Sequence, residues 1–243
     1  MQSQAVTVSA STKQVVRQVF ARLDYAGLGP IYCDEGGDEF WKAKRAVCLR
    51  LGLRLANELR SRLASEGTSL YVGAGVAEIP PIAMESLDLG RRVVPCNLRK
   101  AEAVLLNRAC DGLPYRFEYR DAGTVRITYD HLWLVSVLND PERFPELSAL
   151  SYGHANPAVF NGYRFLAQQR IVAALVNRCL ARLKRPGLVT TTVEEVVWIA
   201  EWCHRRGIRY HIEERTFPSP TVGDPICLVK IGGVDARAGK LRG

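Results

Sequence analysis

Ser69-Leu-Tyr-Val-Gly-Ala-Gly-Val-Ala-Glu-Ile-Pro-Pro81 decides how the chain is read. A short apolar run, Leu70 to Val72, enters Gly73-Ala74-Gly75, and the spacing beyond it predicts a helix. Glycines at a strand-to-helix turn let the backbone approach a ligand closely, and the first amides of the helix point at it. The stretch therefore predicts a ligand turn at the carboxyl end of a strand.

Outward from the turn, strands are expected near 69–73, 92–96, 114–119, 131–138, 188–192, 208–214 and 225–231. Helices are expected near 77–87, 98–110, 160–185 and 193–206. Strands separated by helices imply a parallel sheet covered on both faces. The last two strands are joined by Thr216-Phe-Pro-Ser-Pro-Thr-Val-Gly-Asp224, which has no helical pattern and permits an antiparallel hairpin. The reading is an α/β fold: a seven-stranded, mostly parallel sheet with helices on both faces and a terminal antiparallel hairpin.

Before the turn lies an N-terminal helical extension. A helix over 11–24 is capped by Ser11 or Thr12, and a Gly/Pro break runs from Gly27 to Pro30. A polar loop, Ile31 to Gly37, leads into a long helix from Asp38 to Ala64. Residues 1–67 are expected as a cap, 68–231 as the Rossmann-like domain and 232–243 as a frayed tail.

No apolar run approaches the roughly 20 residues of a membrane span, and the N-terminus lacks the pattern of a signal peptide. Seven scattered cysteines without a CxxC pair are expected to be reduced, which points to a cytoplasmic protein rather than a disulfide scaffold or a zinc site. The net charge of +8 favours anionic partners, yet most of the arginines read as solvated helix faces. Nucleic acid is thus a partner that charge permits and no stacking motif favours.

Each parallel strand ends in a polar or glycine residue: Gly73 and Gly75, Asn97, Asp121, and Asn139-Asp140. Ligands of open parallel sheets lie outside these carboxyl ends. On these residues, residues 68–231 resemble the class I S-adenosylmethionine-dependent methyltransferases. The resemblance implies a cofactor turn of Gly73, Ala74 and Gly75, a ribose contact at Asn97 with Leu98 beside it, and an adenine contact at Asp121-Ala122. It also implies that Asn139 and Asp140 face the cofactor or substrate. Where the family carries acidic residues, this chain has Tyr71 and Asn97, and its turn reads GxGxA followed by Glu78. A nicotinamide dinucleotide fold fits less well, since GxGxxG needs glycine at Glu78.

The segment Ser148 to Tyr163 crowds Tyr152, His154, Asn156, Asn161 and Tyr163 among glycines and a proline. His154 is a candidate general base, and Tyr152 and Asp140 are candidate catalytic partners. Asn156, Tyr163 and, by resemblance, Tyr32 are candidate substrate contacts. A turn-rich surface loop explains the same residues through its own backbone hydrogen bonds. Asp34, Glu35 and Asp38 read as a capped, solvated turn, and no metal site is expected. His131 and His211 read as structural histidines within buried strands.

The expected function is S-adenosylmethionine-dependent methyl transfer to a small-molecule acceptor. The alternatives are a non-catalytic binding module, or an enzyme transferring an aminocarboxypropyl group or modifying nucleic acid on the same fold.

Overall fold

Leu70, Tyr71 and Val72 are all buried, as consecutive residues must be in a strand covered on both faces. In the computed structural model, which describes residues 7–33, 35–219 and 223–233, they belong to β1 (Thr68–Val72). The remaining strands are β2 (Arg92–Asn97), β3 (Glu118–Tyr119), β4 (Tyr129–Leu134), β5 (Leu183–Thr192), β6 (Tyr210–Ile212) and β7 (Ile226–Ile231). They form one sheet in the order β3-β2-β1-β4-β5-β7-β6. β1, β2 and β3 pair in parallel, as do β4 and β5, whereas β7 runs antiparallel to both β5 and β6. The mostly parallel sheet with its closing hairpin is the expected architecture.

The chain divides into two compact units, residues 1–122 and 123–243. The first contains α1 (Ala10–Arg22), α2 (Tyr25–Tyr32), α3 (Gly37–Arg60), α4 (Ile79–Ala83) and α5 (Lys100–Ala109) around β1 to β3. Along α3, Trp41, Cys48, Leu51, Leu55, Ala56 and Leu59 recur at helical spacing and form its buried stripe. The second unit contains α6 (Pro145–Ser151), α7 (Gly162–Leu180) and α8 (Val196–His204) with β4 to β7. Of the expected tail, residues 234–243 lie outside the described residues, as does Asp34.

Several local expectations are corrected. The Gly27 to Pro30 stretch is not a break but part of α2, capped by Asp24, whose side chain accepts from the Gly27 amide at 2.9 Å. Its Gly29 meets Gly37 of α3 backbone to backbone: a Cβ on Gly37 would lie 2.5 Å from the Gly29 Cα. The glycines there serve helix contact, not chain reversal. α1 is capped by Ser9, not Ser11 or Thr12, and α3 starts behind Gly36. β3 pairs over two residues only, because both backbone groups of Phe117 are taken by the Asn107 side chain. β4 stops at Leu134 rather than 138, because the Glu195 carboxylate takes the amides of residues 136–138. Part of the expected loop after it folds as α6. His131 is buried against Thr190 at 3.0 Å, but His211 is exposed on β6, the strand at the end of the sheet order.

Candidate functional site

β1 ends at Val72, and the next residue, Gly73, is exposed with φ +69°, a conformation glycine adopts without a Cβ clash. Behind it Ala74 is stapled to β2 on both sides of its peptide. Its amide donates to the Cys96 carbonyl at 2.9 Å, and its carbonyl accepts from Asn97 Nδ2 at 2.8 Å. The Asn97 Oδ1 accepts from the Arg99 amide at 2.7 Å. Asn97 is buried and tensions the turn, with one amide hydrogen and one lone pair left over.

Gly75 closes the turn. Its amide donates to the Glu78 carboxylate at 2.8 Å, so the short 3₁₀ turn Val76–Glu78 folds back on its own entry. A Cβ at Gly75 would lie 2.9 Å from Glu102 Oε1 and 3.0 Å from the Tyr32 hydroxyl. Glycine is thus what allows these two oxygens to reach the turn. Glu102 comes from α5, is 2% exposed, and accepts a short hydrogen bond from the Tyr32 hydroxyl. Tyr32 is the last residue of α2. Its ring stacks on Phe40 (5.7 Å), meets Trp41 edge-on (5.0 Å) and lies under the Arg99 guanidinium (5.7 Å). Burial of the hydroxyl end, then the Glu102 and Glu78 carboxylates, push its pKa well above the ordinary 10. The phenol stays protonated and donates.

Sequence reasoning placed Gly73, Ala74, Gly75 and Asn97 at this turn and named Tyr32 as a substrate contact; the structure puts the Tyr32 hydroxyl beside Gly75 as well. It missed Glu78 and Glu102. Leu98 is exposed, Asp121 is partly exposed and Ala122 is buried at the start of a short 3₁₀ turn. Tyr71, where the resemblance calls for an acid, turns instead into a closed network. Its hydroxyl donates to Glu85 at 2.6 Å, Ser69 donates to the same carboxylate, and Arg91 Nε reaches it at 2.9 Å.

In the second unit, the segment after β4 is held by Glu195. This buried carboxylate accepts from the amides of Ser136 (2.9 Å), Val137 (2.6 Å) and Leu138 (2.6 Å). Three consecutive amides turned toward one side chain cannot continue a strand ladder, and Ser136 takes φ +55°. That ends β4. Burial raises the Glu195 pKa, against the pull of the three amides. The next residue, Asn139, is 2% exposed, and neither its Nδ2 nor its Oδ1 has a hydrogen-bond partner among the described residues. A buried carboxamide left unmet is a group that calls for a ligand or water.

The other sequence candidates are more scattered. Asp140 is partly exposed and accepts from the Glu142 amide at 2.9 Å, an Asx turn. Tyr152 donates to the buried Asp224 at 2.5 Å, and burial and that carboxylate raise its pKa. His154 is exposed, its backbone amide bonded to Ala149. Asn156 is exposed and bonded to its own loop at Ala158, and Tyr163 is 90% exposed. Glu195 and Asp224 carried no sequence signal. None of the seven cysteines is in a disulfide, and burial pushes the Cys48 thiol up to about 12, the opposite of what a nucleophile needs. Among the described residues, no helix is long and apolar enough to cross a membrane.

No protein-family profile and no curated protein sequence matches the chain. Solved structures do. Magnesium protoporphyrin IX methyltransferase from Synechocystis PCC 6803, solved with bound S-adenosylmethionine, superposes with a TM-score of 0.52 at 14% identity. The match covers 94% of this chain and 100% of that one. A methyltransferase from Pyrococcus furiosus (TM-score 0.49, 13% identity, 75% and 83% covered) is less similar. So is 1,6-didemethyltoxoflavin-N1-methyltransferase from Burkholderia thailandensis (0.46, 14%, 95% and 93%). At such identities likeness speaks for the fold, and the first match carries it: this chain has the Rossmann-like fold of class I methyltransferases.

Proposed function

We propose that the chain binds S-adenosylmethionine and transfers its methyl group to a small-molecule acceptor. The observation that carries this reading is the turn at the end of β1, where Gly73 is left-handed and exposed and the next residue, Ala74, is held by Asn97 from the neighbouring strand. The Synechocystis enzyme of the same fold was solved with that cofactor, which supports the choice of ligand. The residues present suit the group: exposed Gly73 presents its backbone with no side chain of its own in the way.

In this reading Gly73, Ala74 and Gly75 receive the cofactor along their backbone, and Asp121 with Ala122 faces its adenine. When bound, the cofactor supplies an electrophilic methyl group on a sulfonium. The chain's part is positioning, which is where most of the acceleration of such a transfer arises. Glu195 fixes the segment bearing Asn139, and Tyr152, pinned by Asp224, offers a neutral hydroxyl to an acceptor rather than a base. His154, exposed, has no such support.

Calorimetric titration with S-adenosylmethionine and S-adenosylhomocysteine tests the reading. Micromolar binding of both is expected. No heat at millimolar ligand would overturn it.

A second reading, a binding module that transfers nothing, draws on one observation: Asp140, a candidate catalytic residue, serves its own turn. Release of S-adenosylhomocysteine during incubation with an acceptor library separates the two.

A further inference from the structure

Gly75 lacks a side chain, and the space in front of it is filled by two oxygens of the protein itself. Glu102 Oε1 and the Tyr32 hydroxyl would stand 2.9 and 3.0 Å from any Cβ there. The pair therefore occupies ground that a glycine turn otherwise leaves to a ligand. Both oxygens come from outside the strands, Glu102 from α5 and Tyr32 from the end of α2. A buried carboxylate needs donors directed at it, and the phenol is one that a ligand ammonium or diol can replace without loss of hydrogen-bond count.

We propose that Glu102 is the carboxylate that receives the N–H or O–H donors of an adenosyl ligand at this turn, and that the Tyr32 hydroxyl holds the place of those donors until the ligand arrives. The proposal rests on the S-adenosyl reading of the turn and adds the residue that discriminates. Neither residue falls at a strand end: the carboxylate at this turn comes from a helix further along the chain. Tyr32 has the surroundings of a placeholder. It keeps partial exposure, its ring rests on Phe40 and Trp41, and its hydroxyl donates to the carboxylate. The Tyr32→Phe variant keeps the ring packing and removes the competing donor.

The test compares wild type, Glu102→Gln and Tyr32→Phe by calorimetry with two probes, S-adenosylhomocysteine and 5′-methylthioadenosine, which lacks the amino acid. Gln keeps an oxygen for Tyr32, so thermal melting within about 2 °C of wild type is expected for that variant. Its affinity for S-adenosylhomocysteine should fall about tenfold or more, the loss expected for a hydrogen bond to a charged group. Tyr32→Phe should bind severalfold more tightly. If Glu102→Gln weakens both probes, the donors are the ribose hydroxyls; if only S-adenosylhomocysteine is affected, the donor is the ammonium. Equal affinity of wild type and Glu102→Gln would overturn the proposal and leave the S-adenosyl reading standing. Weaker binding by Tyr32→Phe would overturn the placeholder role. A wild-type protein that binds neither probe would bring down both.

Discussion

In the first unit Tyr71 is paired with Glu85, and Tyr32 with Glu102. In both pairs a phenol donates to a buried carboxylate. The first pair is part of the sheet: Tyr71 stands in β1, and Glu85 also receives Ser69 and the guanidinium of Arg91, with Arg91 and Glu85 wholly enclosed. Arg91 goes on to the carbonyls of Ala64 and Thr68. The second pair is built from two helices and laid against a bare glycine, with Tyr32 still partly exposed. The two differ in the consequence of losing the phenol. In the first pair the strands lose a brace; in the second, the turn gains an opening.

The comparison breaks most visibly if the first carboxylate is removed. Glu85→Ala leaves Arg91 buried without its ion-pair partner, a change that costs about 3–5 kcal/mol. That is a large part of the roughly 5–15 kcal/mol typical of a domain. The midpoint of urea unfolding should drop steeply with little change in slope. Glu102→Gln should leave the midpoint nearly where it was. Equal loss in the two variants would erase the distinction between brace and site.

A smaller effect sharpens the structural side. Asp88, three residues beyond Glu85, ties down the start of α1. It accepts from the Ser9 amide (2.9 Å), the Ser9 hydroxyl (2.7 Å) and Thr12 (2.5 Å), and pairs with Arg60 at 2.9 Å. Burial pushes its pKa up, but these donors and Arg60 outweigh it and bring the folded value below the ordinary 3.8. A depressed carboxylate stabilises fully above its unfolded pKa, and the contribution disappears as pH falls through the lower folded value. Asp88→Asn should therefore be less stable than wild type by about 1–2 kcal/mol at pH 7. The gap should narrow once the pH passes below 3.8. A gap that stays constant from about pH 7 to about pH 2 would show that charge at Asp88 contributes nothing.

The sheet was legible because its signals are local. Leu70 to Val72 followed by two glycines, Asn97 at a strand end and a helix-free link before residue 225 each sit within a few residues. The braces and the acids were not. Glu78 and Glu102 look like ordinary solvated helix residues in sequence, and only the close approach at Gly75, missing its Cβ, brings them together. Glu195 reads as one of two adjacent acids, Glu194-Glu195, yet it gathers three amides from about sixty positions away and ends β4 early. α2 was misread because glycine serves equally for reversing a chain and for letting two helices touch. Tyr32 was named as a substrate contact only through resemblance, because its packing among Phe40, Trp41 and Arg99 has no local signal in the sequence.

The second unit offers the opposite of the Tyr71–Glu85 brace: a buried polar group with nothing to brace. Asn139 has both carboxamide atoms unmet among the described residues, a state that costs stability in the folded chain and is retained where function uses it. Replacing both its donor and its acceptor with an apolar side chain of similar size removes that cost. Asn139→Leu is thus expected to melt no lower than wild type and to gain up to about 1 kcal/mol. It should also lose affinity for the acceptor. Stability and binding would then move in opposite directions, the pattern of a site residue. A variant that unfolds more easily would show that Asn139 is satisfied in solution, by water for example, and belongs with Glu85 among the residues that hold the fold.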